Sequence, residues 1–206
     1  GILSVTDLLE SKNIKVVEIK ADLSFDGLSG YVNNDENMPF VVVNKSFDVE
    51  RLRFTGLHEL GHLVMNLPEE MEKKDKERLC NLFASEMLIS RDTFVDVLGE
   101  RRSDISLQEL KVLQAVYGIS VDALMFKAKT VGVISESKYT SFCIRKNKSL
   151  AFKDAVERSS YRGVEESSRF DRLVYRALAS DMISCSKAAV LLNEPMEEVK
   201  NKLELV

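Results

Sequence analysis

Three cysteines, Cys80, Cys143 and Cys185, stand far apart in the 206 residues and never as a C-x-x-C pair. That scarcity provides neither a disulfide framework nor a thiolate zinc cluster, and it fits a reducing, cytoplasmic setting. A basic excess is also missing. With a formal net charge of -4 and a pI near 5.4, the chain offers no broad positive field for a phosphate backbone, so direct DNA binding is not expected. No apolar run approaches the roughly 20 residues of a membrane span. The opening "GILSVTDLLESKN" lacks the charged and apolar regions of a signal peptide. The absence of an initiating Met at Gly1 leaves room for an upstream segment. What remains is ordinary for a chain able to bury a core, 45% hydrophobic and 30% charged.

The apolar pattern changes period along the chain. "IKVVEIK", "LSGYV" and "FVVVN" alternate or run apolar at strand length, with turns expected at Asp26-Gly27 and over "NNDENMP". From Asp48 to Asn66 the period is helical, and Pro68 interrupts it at a position suited to the first turn of the next helix. "LCNLFASEMLI" continues as a strongly apolar helix. "LQELKVLQAVYG" and "VDALMFKAKTVG" follow as two helices meeting at a tight corner, with Gly118 as C-cap and Ser120 as N-cap. The polar stretch "VISESKYTSFCIRKNKS" reads as a linker, and three short helical patterns close the chain. The expected parts are therefore 1–92, 93–134 and 135–206. The fold class is α+β, a small antiparallel or mixed sheet packed on helices and followed by a mainly helical C-terminal part.

Both histidines of the chain fall within "FTGLHELGHLVMN", four residues apart, with Glu59 directly after the first. Positions four apart share one helix face, so His58 and His62 can turn both imidazoles toward one ion. Glu59, displaced by about 100°, can reach a water at that ion without ligating it. Gly56 and Gly61 inside the same helix each cost about 1 kcal/mol relative to Ala, which calls for the close approach of another backbone or a substrate strand, or, for Gly61, helix packing alone.

A catalytic zinc needs a third protein ligand beside an open position. With no histidine left, that ligand is Asp, Glu or Cys. Glu77, Asn81, Ser85 and Leu88 share one face of the next helix, whereas Glu86, nine residues from Glu77, lies about 180° away. Glu86 sits on the stripe of Leu79, Leu82 and Phe83. Glu77 occupies the more polar face and is the chosen ligand, with Asn81 one turn on, able to accept a hydrogen bond from the outer nitrogen of a ligating histidine. Cys80 points elsewhere and reads as a small core residue.

"RFTGLHELGHLVMN" followed by "ERLCNLFASEMLIS", with "GLSGYV" and "FVVVN" upstream, resembles the ImmA/IrrE family of metallopeptidases from about Gly27 to Ser90. The resemblance implies zincin-type helices, and it implies Glu77 as the carboxylate completing a Zn2+ site with His58 and His62. "MLIS" departs from the family's usual "LLMP" after the second helix. Members of that family cut, or promote cutting of, helix-turn-helix repressors. Many belong to mobile elements or stress-response systems, and some carry an N-terminal DNA-binding domain. The reaction so implied is peptide hydrolysis with Glu59 as the proton carrier.

An oxyanion donor would have to be Tyr, Arg, Lys, Asn or a backbone N–H, since both histidines are used; Tyr31 lies upstream but a strand Tyr ordinarily packs. "FVVVN" either offers an edge on which an extended substrate pairs, or is a buried central strand. Two rivals stand beside the peptidase. "LQELKVLQAVYGISVDALMFKAKT" has the rhythm of a DNA-associated helix-turn-helix, though its second helix brings only Lys127 and Lys129 to a phosphate backbone. A metal-binding scaffold would keep both histidines and make Glu59 dispensable.

Overall fold

The computed structural model describes residues 1–32 and 37–203, so most of the turn expected over "NNDENMP" lies outside the described residues. Helix α1 (Val5–Ser11) is capped by the Ser4 hydroxyl, which accepts from the Asp7 N–H. Strands β1 (Lys15–Ile19), β2 (Gly27–Val32) and β3 (Met38–Asn44) form one mixed sheet in the order β1-β3-β2. β3 is parallel to β1 and antiparallel to β2. The "FVVVN" strand is therefore central, and the edge reading of it is corrected: Val41 and Val43 are core residues, and a run apolar at nearly every position fits a strand flanked on both sides. The edge strands are β1 and β2.

Helix α2 (Val49–Val64) covers the sheet face that carries Val41 and Val43. Its start is pinned at two points. The Asp48 carboxylate accepts from the Arg51 N–H, and the Arg51 guanidinium grips Asp26 at 2.7 and 3.0 Å, just before β2. Fully buried Asn44 ties down the loop ahead of β2: its amide donates to the carbonyls of Ala21, Asp22 and Phe25 and accepts from the N–H groups of Ala21 and Ser46.

β2 then runs alongside α2 in step with it. Gly27 meets Thr55, Ser29 meets Glu59 and Tyr31 meets Leu63. Two strand residues advance about 6.6 Å and four helical residues about 6 Å, so the strand face and the helix face stay matched over three contacts. A Cβ at Gly27 would lie 2.7 Å from both the Thr55 methyl and the Val42 carbonyl oxygen, which is why no side chain fits there.

Helix α3 (Lys73–Leu88) follows the break at Pro68, which lies outside it, and packs on α2. α4 (Arg91–Leu98), α5 (Leu107–Tyr117) and α6 (Val121–Thr130) continue the same core. Ser106 and Glu109 form a reciprocal capping box on α5, Gly118 ends it in the left-handed conformation, and Ser120 caps α6.

The polar stretch expected as a linker is instead helix α7 (Glu136–Lys148), followed by α8 (Leu150–Glu157). Its apolar residues Tyr139, Phe142 and Cys143 recur at three and four, a stripe too narrow to dominate the composition but sufficient to join the core. One core runs from Val5 to Val156 and passes through both boundaries expected near 92 and 134. The compact unit is Gly1–Glu165, and a second unit is Glu166–Val206.

In the second unit, α9 (Arg169–Ala179), α10 (Cys185–Leu192) and α11 (Met196–Lys202) gather around Val174, Leu178, Ala188 and Val199. Asn193 turns the chain between α10 and α11 with a φ of 54°. The architecture is α+β, with three strands and eleven helices among the described residues.

Candidate metal centre

α2 and α3 are antiparallel neighbours: His58 faces Asn81 while His62, one turn later, approaches Glu77 from the opposite direction. Gly61 allows this. A Cβ there would sit 3.4 Å from the Cys80 Cα and 3.3 Å from the Phe83 ring, so the glycine serves helix packing and lets the two backbones close in. The neighbour that Gly56 accommodates is α1, through Val5 and Leu9.

The close approach brings three donor atoms together. His58 Nε2 lies 3.1 Å from His62 Nε2 and 3.1 Å from Glu77 Oε2, and His62 Nε2 lies 3.7 Å from the same carboxylate oxygen. Among the described residues, this is the one cluster of three His, Cys, Asp or Glu groups spaced to share a cation. Donors at the 2.0–2.1 Å typical of zinc in a tetrahedral shell are separated by about 3.3–3.4 Å, so the triangle has the size such a shell requires.

The donor set fits a cation for a second reason. His58 Nδ1 is 2.9 Å from Asn81 Oδ1. An amide oxygen only accepts, so Nδ1 donates to it and Nε2 is the ring nitrogen turned to the cluster, free to offer its lone pair to a metal. Two imidazole nitrogens and a carboxylate oxygen thus converge on one point, a set of lone pairs that a shared cation would satisfy. The residues therefore fit a cation held by two imidazoles and one carboxylate.

Glu59 stands apart from the triangle. It is buried on the β2 side of α2, and its Oε2 accepts a 2.7 Å hydrogen bond from the Ser29 hydroxyl. Ser29 was not singled out by sequence reasoning. The only available sign was its place in "LSGYV", a polar residue on the strand face that looks at α2.

Glu86 is kept away from the cluster. Its carboxylate accepts from Lys127 Nζ at 2.5 Å and from the Arg91 N–H at 2.9 Å. Cys80 is fully buried, and burial first, then Glu77 and Glu59, push its thiol up to about 11. At neutral pH it is a protonated core residue. Tyr31 donates its hydroxyl to the Leu63 carbonyl at 3.2 Å, which holds the phenol at the end of α2. The two cations of α6 are engaged as well: Lys127 on Glu86 and Ser85, and Lys129 over the Phe126 and Tyr139 rings and beside Glu136.

Among the described residues, no helix is long and apolar enough to cross a membrane. Comparison with curated proteins finds no match. The IrrE N-terminal-like domain, Peptidase_M78, matches residues 9–129, which include the sheet, both site helices and the α5–α6 corner. With more than half of its length matched, the chain belongs to that family of metallopeptidases.

Proposed function

We propose that this protein is a zinc-dependent endopeptidase in which His58, His62 and Glu77 hold the ion and Glu59 moves the proton. The observation that carries the reading is the division of labour on α2: two imidazoles converge on Glu77, while Glu59, next in sequence, is held off the cluster by Ser29. Bound in the cradle, the cation supplies Lewis acidity, acidifying a water and polarising the scissile carbonyl. Zinc suits two imidazoles and one carboxylate at tetrahedral spacing.

The chain's own groups do the rest. Asn81 fixes the His58 ring so that Nε2, not Nδ1, faces the cluster. Glu59 takes a proton from water as the water oxygen bonds to the substrate carbonyl carbon, then delivers that proton to the amide nitrogen as the C–N bond breaks. The Ser29 hydroxyl keeps the Glu59 carboxylate aimed, since its hydrogen bond leaves Oε1 for the proton.

β2 is the strand on which an extended substrate would pair. Its residues alternate between β3 and the open edge. The Asn44 N–H bonds the Asp26 carbonyl, and Pro39, which has no N–H, stands opposite Tyr31. The backbone groups of Gly27, Ser29 and Tyr31 therefore face outward, beside Glu59. The substrate is a protein with an accessible extended segment, and by resemblance a helix-turn-helix repressor from a mobile-element or stress-response system. Cleavage would then act on transcription without the chain itself contacting DNA, in the cytoplasm.

Metal content per chain, measured by elemental mass spectrometry on untagged protein, tests the centre. One zinc in the parent, lost in Glu77→Ala and kept in Glu86→Ala, is the expected result. Zinc retained by Glu77→Ala, or none bound by the parent, overturns the site. A metal-binding scaffold without turnover is separated from the enzyme by Glu59→Gln, which keeps the ion in either case but abolishes repressor cleavage only in the enzyme.

A further inference from the structure

Away from the metal cluster, the first unit holds a cavity of about 660 Å³ between the loop that follows α4, the start of α5, and helices α6 to α8. None of its lining residues belongs to α2 or α3. The volume lies within the range of small-molecule sites, which combine an apolar body with a few placed polar groups. This cavity has that composition. Ile105, Met125, Phe142 and Phe152 form its apolar part, and Arg102, Lys138 and Arg145 bring three cations to it.

The three cations are not equivalent. Arg102 is occupied, donating to the Leu98 carbonyl at 3.0 Å and to Glu109 at 3.0 Å. Lys138 is paired with Asp104 at 2.5 Å, and that hydrogen bond, the largest of several influences, holds the Asp104 carboxyl below the usual carboxylate range. Asp104 is therefore ionised at neutral pH and balances Lys138. Arg145 has no ion pair or hydrogen bond to a carboxylate among the described residues. Its guanidinium lies 4.0 Å over the Phe152 ring, and that ring makes an edge contact with Phe142. The result is one preorganised guanidinium at the lip of an aromatic-walled cavity, hydrogen-bonded to no carboxylate among the described residues and feeling Asp104 only through space. Arginine stacked on a ring still directs its planar N–H groups sideways toward an anion.

We propose that this cavity binds an organic monoanion, a carboxylate on an apolar body, with the anionic group on Arg145 and the body between Phe142, Phe152 and Met125. The carboxylate takes the free fork of Arg145. The Asp104–Lys138 pair beside it disfavours a dianion, because Asp104 is already charged there. The site is independent of the metal centre and of the peptidase reading, and its test does not depend on proteolysis.

Decanoate serves as the probe, with decanol as its uncharged counterpart and acetate as the anion without a body. Titrated into the full-length protein and followed by amide chemical shifts, decanoate should saturate and perturb residues around Ile105, Met125, Phe142 and Phe152. Decanol should bind more weakly, and acetate should not saturate. Arg145→Gln, an exposed substitution, should weaken decanoate about tenfold and leave decanol unchanged. Ser141→Trp, which projects a ring into the cavity from the exposed side of α7, should abolish both. Absence of saturable decanoate binding overturns the proposal. So does an Arg145→Gln protein that binds decanoate like the parent, or perturbation centred elsewhere.

Discussion

At the scale of single residues, the proposed mechanism separates holding a metal, by His58, His62 and Glu77, from moving the proton, by Glu59. Glu59→Gln keeps the shape and loses the base, so metal content should be unchanged while kcat/KM on a cleavable protein falls about 100-fold to 10,000-fold. Ser29→Ala should give a smaller loss, about tenfold, expressed in kcat, because the carboxylate stays but is no longer held by its 2.7 Å bond. Equal losses in the two variants would show that Ser29 does more than aim Glu59.

Glu86 makes the opposite case. Lys127 is only 3% exposed and depends on it, whereas Glu86 itself is 48% exposed. Glu86→Gln should therefore lower stability by about 1–3 kcal/mol, read from denaturant unfolding, with metal content intact. A loss of metal would assign Glu86 a role at the centre.

Helix arithmetic was legible in the sequence: about 100° per residue puts His58 and His62 on one face and separates Glu77 from Glu86, while the family resemblance joined Glu77 to the histidines of the other helix. Ser29 was not legible as a partner of Glu59, and neither was Lys127 as the partner of Glu86, since both contacts join elements far apart in the chain. No local period records them.

At the scale of elements, the sheet order decides where a substrate can pair. β3 reads from its sequence equally well as an edge or a central strand, because a continuous apolar run says only that both faces are covered. Pairing order depends on β1 reaching β3 across the chain. With β3 enclosed, the outward N–H groups belong to the edge strands β1 and β2; β2 is the one beside Glu59, and Tyr31, 49% exposed, supplies one of its groups. Proline is tolerated on an edge strand where its missing N–H faces solvent. Tyr31→Pro should therefore preserve folding and metal while raising KM for a protein substrate several-fold. Tyr31→Phe, which removes only the bond to Leu63, should leave KM close to the parent value. If Tyr31→Pro cleaves like the parent, substrate does not pair on β2. α7 teaches a related lesson: its composition is polar, and only the three-four spacing of Tyr139, Phe142 and Cys143 reveals that it packs.

At the scale of the whole molecule, the peptidase unit reaches well beyond the motif-bearing helices. Arg53, fully buried on α2, donates to Glu165 and to the carbonyls of Ile2, Leu3, Tyr117 and Gly118, while Glu165 also accepts from the backbone of Val5 and Thr6. The final residue of the first unit therefore fastens the helix that carries both histidines to the start of the chain. Removing one partner of a buried ion pair typically costs about 3–5 kcal/mol, because the other charge stays buried and uncompensated. Against a total stability of about 5–15 kcal/mol, that loss is large. Glu165→Gln should lower Tm by roughly 6–20 °C, at about 2–4 °C per kcal/mol for a domain of this size. A chain ending at residue 134 loses Glu165 together with the core residues Phe142 and Val156, and it should fail to give a cooperative thermal transition. A chain ending at 165 should melt cooperatively and bind zinc. Cooperative melting of the shorter chain would mean that α7, α8 and the Glu165 clasp are an addition to a complete peptidase domain. Its failure, with the longer chain folding, would place the true boundary where the buried contacts end and not where the composition turns polar.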